Sequence, residues 1–122
     1  MTAKKVLIVD ASATDREILS AALARVGYES SEAESGSAAL ARISEERFDL
    51  LLADLDMPEM DGVSFVSALR KIPGQLFTPV IAVGKESTFK RRSVCISAAV
   101  SGYIQKPFHQ EQVLSLLRTA KL

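Results

Sequence analysis

The chain has 122 residues, 48% hydrophobic and 25% charged, which suits one globular domain with one sizeable core, expected over residues 1–122. Fifteen Lys and Arg balance fifteen Asp and Glu, so the composition builds in no basic nucleic-acid face. The apolar runs are too short to span a bilayer or to form a signal-peptide core, and the single Cys95 allows no internal disulfide, so no membrane partner and a reducing, cytoplasmic setting are expected.

Five short apolar runs alternate with helix-like stretches. Val6-Leu7-Ile8-Val9 is continuously apolar, as a parallel strand covered on both faces is. Ile18, Leu19, Ala22, Leu23 and Val26 then share one helical face, with Thr14 and Glu17 read as a capping box and Gly27 as the stop. Residues 28–33 form a weak strand whose Glu29, Ser30, Ser31 and Glu32 place it at a sheet edge. A helix over 37–47 turns Ala39, Leu40 and Ile43 inward. Leu50-Leu51-Leu52-Ala53 is the third strand and ends at Asp54, followed by the turn Met57-Pro58-Glu59-Met60-Asp61-Gly62, where Asp61 reads as a turn or cap residue.

Val63, Val66 and Leu69 mark a third helix, and Pro73-Gly74 opens a loop. Val80-Ile81-Ala82-Val83 is a fourth strand ending at Gly84. A fourth helix over 88–99 carries Lys90-Arg91-Arg92, read as a solvated face, and Cys95, read as a small buried group. Residues 102–105 form a short fifth strand, and 110–120 a last helix with Val113, Leu116 and Leu117 inward. His109, without a clustered partner, is expected to be exposed near its start. This alternation predicts an α/β fold of three layers, a (βα)5 doubly wound parallel sheet.

In such folds the functional crevice lies beyond the carboxyl ends of the strands. That rule selects Asp10-Ala11, Asp54-Leu55-Asp56, Gly84-Lys85 and Lys106. One Asp after a strand is most often a turn residue, and one Lys is most often solvated. Three carboxylates and a lysine at corresponding strand ends are less easily accidental. Clustered carboxylates repel one another, and a hard cation such as Mg²⁺ relieves the repulsion. A nearby ammonium holds a phosphoryl oxygen. The set therefore suits a carboxylate that accepts a phosphoryl group beside Mg²⁺.

Val6-Leu7-Ile8-Val9-Asp10 with Ser12 and Arg16 resembles the first strand and acidic turn of response-regulator receiver domains. Residues 51–62, running through Ala53-Asp54-Leu55-Asp56-Met57-Pro58, are similar to the family's phosphoacceptor segment. Thr78-Pro79-Val80-Ile81 resembles its fourth strand, and Gly102-Tyr103-Ile104-Gln105-Lys106-Pro107-Phe108 its fifth strand and lysine turn. The resemblance, to chemotaxis-type regulators in particular, covers essentially the whole chain. It implies a flavodoxin-like sheet in the order 2-1-3-4-5. It implies a signalling module, not an enzyme, with Asp54 as phosphoacceptor and Lys106 as the phosphoryl-contacting lysine. Asp10 becomes the first of an acidic pair, Tyr103 the aromatic switch residue, and Lys106–Pro107 a cis peptide. Implied partners are a histidine kinase or phosphotransfer protein, and a downstream target docking on the fourth helix, fifth strand and last helix near Tyr103 and Phe108.

The departures matter as much. The second acid of the pair, a direct Mg²⁺ ligand in the family, is Ala11 here. The hydroxyl residue after strand four, which pulls the switch, is Gly84. The Gly-Ala that usually precedes strand five is Ala99-Val100. Mg²⁺ binding through Asp10, Asp54 and Asp56 is therefore expected to be weak or absent, and phosphorylation weakened. The alternative is a pseudo-receiver that binds a partner irrespective of phosphate. A remoter one is an Asp-x-Asp phosphatase, but there the pair follows the first strand, whereas Asp54-Leu55-Asp56 follows the third.

Overall fold

A computed structural model describes residues 3–60, 62–85, 87 and 100–119. In chain order the elements are β1 (Lys5–Val9), α1 (Ala13–Arg25), β2 (Glu29–Ala33), α2 (Gly36–Glu45), β3 (Leu50–Asp54), α3 (Gly62–Arg70), β4 (Val80–Gly84), β5 (Gly102–Gln105) and α4 (Gln110–Thr119). The helix expected over 88–99, with Cys95 and Lys90-Arg91-Arg92, lies outside the described residues, as does Asp61. All strands run parallel in the order β2-β1-β3-β4-β5, the doubly wound sheet expected.

Successive side chains of a strand point to opposite faces, so each buried strand feeds two cores. Val6, Ile8, Leu50, Leu52, Ile81 and Val83 pack with Leu19 and Leu23 of α1 and with Val113, Leu114 and Leu117 of α4. Leu7, Val9, Leu51 and Ala53 pack on the other face with Ala39 and Ile43 of α2 and Phe65, Val66 and Leu69 of α3. Every residue of β3 is buried, whereas β2 at the edge buries only Ala33. Each fully buried Leu, Ile or Val contributes about 1.5–3 kcal/mol, so β3 anchors the position of whatever follows it.

Two expectations need correction. α1 is capped by Ser12, not by Thr14 with Glu17: Ser12 Oγ accepts from the Asp15 N–H at 3.2 Å. The reason lies one turn earlier, where Asp10 Oδ1 accepts the Ser12 N–H at 2.9 Å and delivers Ser12 to the helix start in an extended conformation. Phe108, expected on or beside the docking face, is only 6% exposed and belongs to the core of α1 and α4. It stands just before the first residue of the capped turn, His109, and shares that core with Val113, the pairing of a hydrophobic staple. Gln112 Oε1 reaches back to accept the His109 N–H at 2.7 Å, half of a capping box. His109 is exposed, as expected.

Gly27 ends α1 at φ +79°, and a Cβ built there meets nothing within 4 Å. Gly27→Ala is therefore expected to destabilise through backbone strain alone, by about 1–2 kcal/mol. Urea denaturation checks it: an unchanged midpoint would show that α1 ends as well without a left-handed residue.

Candidate functional site

The register of β1 and β3 pairs Val9 with Ala53. Asp10 and Asp54 follow at the same level, where the connections from neighbouring strands diverge to opposite faces of the sheet. Both make the same local turn. Asp10 Oδ1 accepts the Ser12 N–H, and Asp54 Oδ1 accepts the Asp56 N–H, each at 2.9 Å. One oxygen of each carboxylate, Oδ1, is tied to its own turn, and Oδ2 takes no part in that turn. Both residues are buried, at 1% and 4% exposure. The Arg16 guanidinium steadies the first turn, donating to the Asp10 carbonyl at 2.6 Å while Glu32 holds it at 2.9 Å.

Lys106 comes from β5, two strands away from β3, about 10 Å at ordinary strand spacing. A long side chain is needed to cross that gap. The Lys106 N–H donates to the Gly84 carbonyl at 2.7 Å, and Lys106–Pro107 is cis, as expected. Lys106 Nζ lies 3.1 Å from Asp54 Oδ2 and 3.3 Å from Asp10 Oδ1. Asp10 Oδ2 is 3.2 Å from Nζ as an ion pair without hydrogen-bond geometry, so it remains a buried oxygen with no hydrogen-bond partner. A third carboxylate joins them: Asp15 Oδ2 lies 3.0 Å from Nζ.

The electrostatics follow from this crowding. Burial pushes the Asp10 carboxyl up and the Asp54 charge adds to it, against the opposing pull of the Ser12 N–H and Lys106. Burial works against the charge on Lys106, but the carboxylates of Asp15, Asp10 and Asp54 outweigh it and hold the ammonium above its ordinary range.

The other expected site residues sit around this centre. Asp56 joins it through its backbone N–H, while its exposed side chain reaches toward the Lys85 N–H at 3.5 Å. Ala11 is exposed at the rim, and Gly84 is buried at the end of β4. Tyr103 stands opposite Ala82 on β5 and is 43% exposed. Asp15 is the residue that sequence reasoning missed. Its one signal is its place in the first turn of α1, at the edge where the acidic turn also lies.

The unpartnered Asp10 Oδ2 beside Asp54 suits a hard cation, which prefers oxygen ligands. Among the described residues, however, no three acidic side chains come together closely enough to hold a metal ion. Asp10 and Asp54, with Asp56 at the rim, are the residues that would hold such a cation. No helix among the described residues is long and apolar enough to cross a membrane.

The family described as the response regulator receiver domain matches residues 6–118, and the chain belongs to it. It is thus a receiver domain of two-component signalling. Chemotaxis protein CheY of Pseudomonas aeruginosa is 34% identical over 105 residues, with 85% of each chain covered. The solved structure of the chemotaxis response regulator CheY4 of Vibrio cholerae matches with a TM-score of 0.87 and 35% identity, covering 96% of this chain and 98% of that one. The signal transduction histidine-protein kinase BarA of Escherichia coli is 31% identical over 115 residues, which are 94% of this chain but only 12% of the kinase.

Proposed function

We propose that this receiver takes a phosphoryl group on Asp54 Oδ2 from a histidine kinase or phosphotransfer protein, and that Ala11 and Gly84 weaken the transfer. The observation that carries this reading is the Asp54 carboxylate itself. Its Oδ1 is fixed by the Asp56 N–H, and its Oδ2 lies 3.1 Å from the Lys106 ammonium. In the transfer the bond from phosphorus to the donor nitrogen breaks and a bond to Oδ2 forms. Lys106 meets the negative charge on the phosphoryl oxygens. Asp10 and Asp54, with Asp56 at the rim, would hold Mg²⁺, which would supply positive charge against the same oxygens. Ala11 leaves it one ligand short. Gly84 offers no hydroxyl to the phosphoryl group, so the end of β4 has little means of sensing it. The half-exposed Tyr103 marks the face, with α4, on which a downstream protein would dock. The domain acts in the cytoplasm and as a binding module, without an enzymatic output of its own.

Intact-protein mass after incubation with acetyl phosphate and Mg²⁺ tests this. A partial phosphoryl adduct is expected in wild type, and none in Asp54→Asn. Absence of any adduct at saturating acetyl phosphate would move the protein to the second reading, a pseudo-receiver that docks its partner irrespective of phosphate. That reading is favoured by Ala11 and Gly84, two missing functional groups at one site.

A further inference from the structure

We propose that Asp15 is the third carboxylate of this site, a positioning residue that anchors Lys106 from the first turn of α1 and supplies the negative charge absent at Ala11. The inference rests on the reading of Lys106 as the phosphoryl-contacting lysine. Asp15 stands three residues after the cap Ser12. From there an acidic side chain ordinarily reaches back to the N–H of the cap residue. Here that N–H is already taken by Asp10 Oδ1 at 2.9 Å, and Asp15 serves the cap with its own N–H, 3.2 Å from Ser12 Oγ. Its carboxylate is released from capping and turns to Lys106 Nζ at 3.0 Å, a contact as close as those Nζ makes with Asp54 at 3.1 Å and Asp10 at 3.2 Å.

The three carboxylates differ in exposure. The Asp10 and Asp54 side chains are 1% and 6% exposed, and that of Asp15 is 26% exposed, so Asp15 holds the lysine from the solvent side. With Asp15 included, three carboxylates face one ammonium and leave the site a net charge of −2. Two acids at positions 10 and 11 with Asp54 and Lys106 would carry the same charge. The missing acid reappears four residues along the chain, on the helix instead of in the turn. Because Asp15 is tethered to α1 and not to the acceptor, it holds Lys106 in place while the Asp54 carboxylate is consumed in forming the acyl phosphate. Asp10 Oδ2 meanwhile stays without a hydrogen bond, available beside Asp54.

The experiment is competitive labelling of lysines in the full chain with limiting acetic anhydride at fixed pH, read by peptide mass as Lys106 relative to the exposed Lys71. Asp15→Asn is expected to raise relative Lys106 labelling about fivefold, the loss of one ion-paired hydrogen bond. Asp15→Glu should stay close to wild type, since it keeps the charge. Ser12→Ala, which removes the cap but keeps the carboxylate, should change labelling much less than Asp15→Asn. Unchanged labelling in Asp15→Asn overturns the proposal. So does an equal rise in Ser12→Ala, which would mean that fraying of α1 and not the lost charge exposes the lysine. No phosphate enters the measurement, so an Asp54 that fails to phosphorylate while Lys106 stays protected by Asp15 overturns the functional reading and leaves the anchor standing.

Discussion

Lys106→Met is expected to destabilise the fold by about 3 kcal/mol at neutral pH, the loss that follows when one partner of a buried ion pair is removed. The methionine keeps the apolar stem and removes only the charge. Asp10 and Asp54, with side chains 1% and 6% exposed, then face each other without a counter-ion. The pH dependence distinguishes this cause from lost packing. Lys106 has its folded-state value raised, so its contribution is complete below about pH 10.4, the ordinary lysine value, and is lost as pH rises through the folded one. Asp10 is also raised, by burial first. A raised carboxyl favours the folded state while protonated, and that advantage fades as pH rises from about 3.9 through the folded value. In the variant Asp10 rises further, so the deficit shrinks as pH falls toward that range. The difference between wild type and variant should be largest between about pH 6 and pH 10 and smaller on either side. Urea denaturation across that range measures it. A deficit that does not change with pH would assign Lys106 a packing role only.

The parts of this site that are legible in the sequence are those that terminate apolar runs. Asp10, Asp54 and Gly84 each close a continuously apolar run that forms a buried strand, Lys106 follows the short, partly exposed β5, and strand ends point one way in a parallel sheet. Asp15 is not legible in this way. An acid in the first turn of a helix reads equally well as a capping or dipole residue, and only the approach of α1 to the end of β5 gives it a lysine. The cap of α1 is misread for a related reason: Ser12 and Thr14 are both good caps by type, and the choice is made by the hydrogen bond that the Ser12 N–H donates to Asp10. Phe108 follows a Lys-Pro turn and has the look of a surface anchor, yet the core shared with Val113 claims it. Strand order is not written in any one segment either. Apolar periodicity says that five strands are parallel, and the resemblance of the whole chain to a family is what places β1 beside β3.

Restoring the two absent groups is expected to strengthen the switch. Ala11 is exposed, so Ala11→Asp adds a carboxylate at the rim without displacing packed atoms. It returns an oxygen ligand to a divalent cation and should tighten Mg²⁺ binding by about tenfold, the effect of one charged ligand at a partly exposed site. Gly84 is buried at the end of β4 and gives its carbonyl to Lys106 at 2.7 Å. Threonine suits a strand end and leaves that carbonyl in place. Its hydroxyl returns a hydrogen bond to a charged group, worth about 1.5–3 kcal/mol, or roughly tenfold to a hundredfold in the equilibrium population of the phosphorylated form. Both groups act on one phosphoryl–metal assembly, so the double variant should gain more than the product of the single gains. Wild type, both single variants and the double variant are compared by the mass of the Asp54 adduct and by calorimetry with Mg²⁺, with Asp54→Asn as the blank. Should wild type already be fully phosphorylated and the double variant gain nothing, Ala11 and Gly84 are harmless, and the chain is an ordinary phospho-receiver.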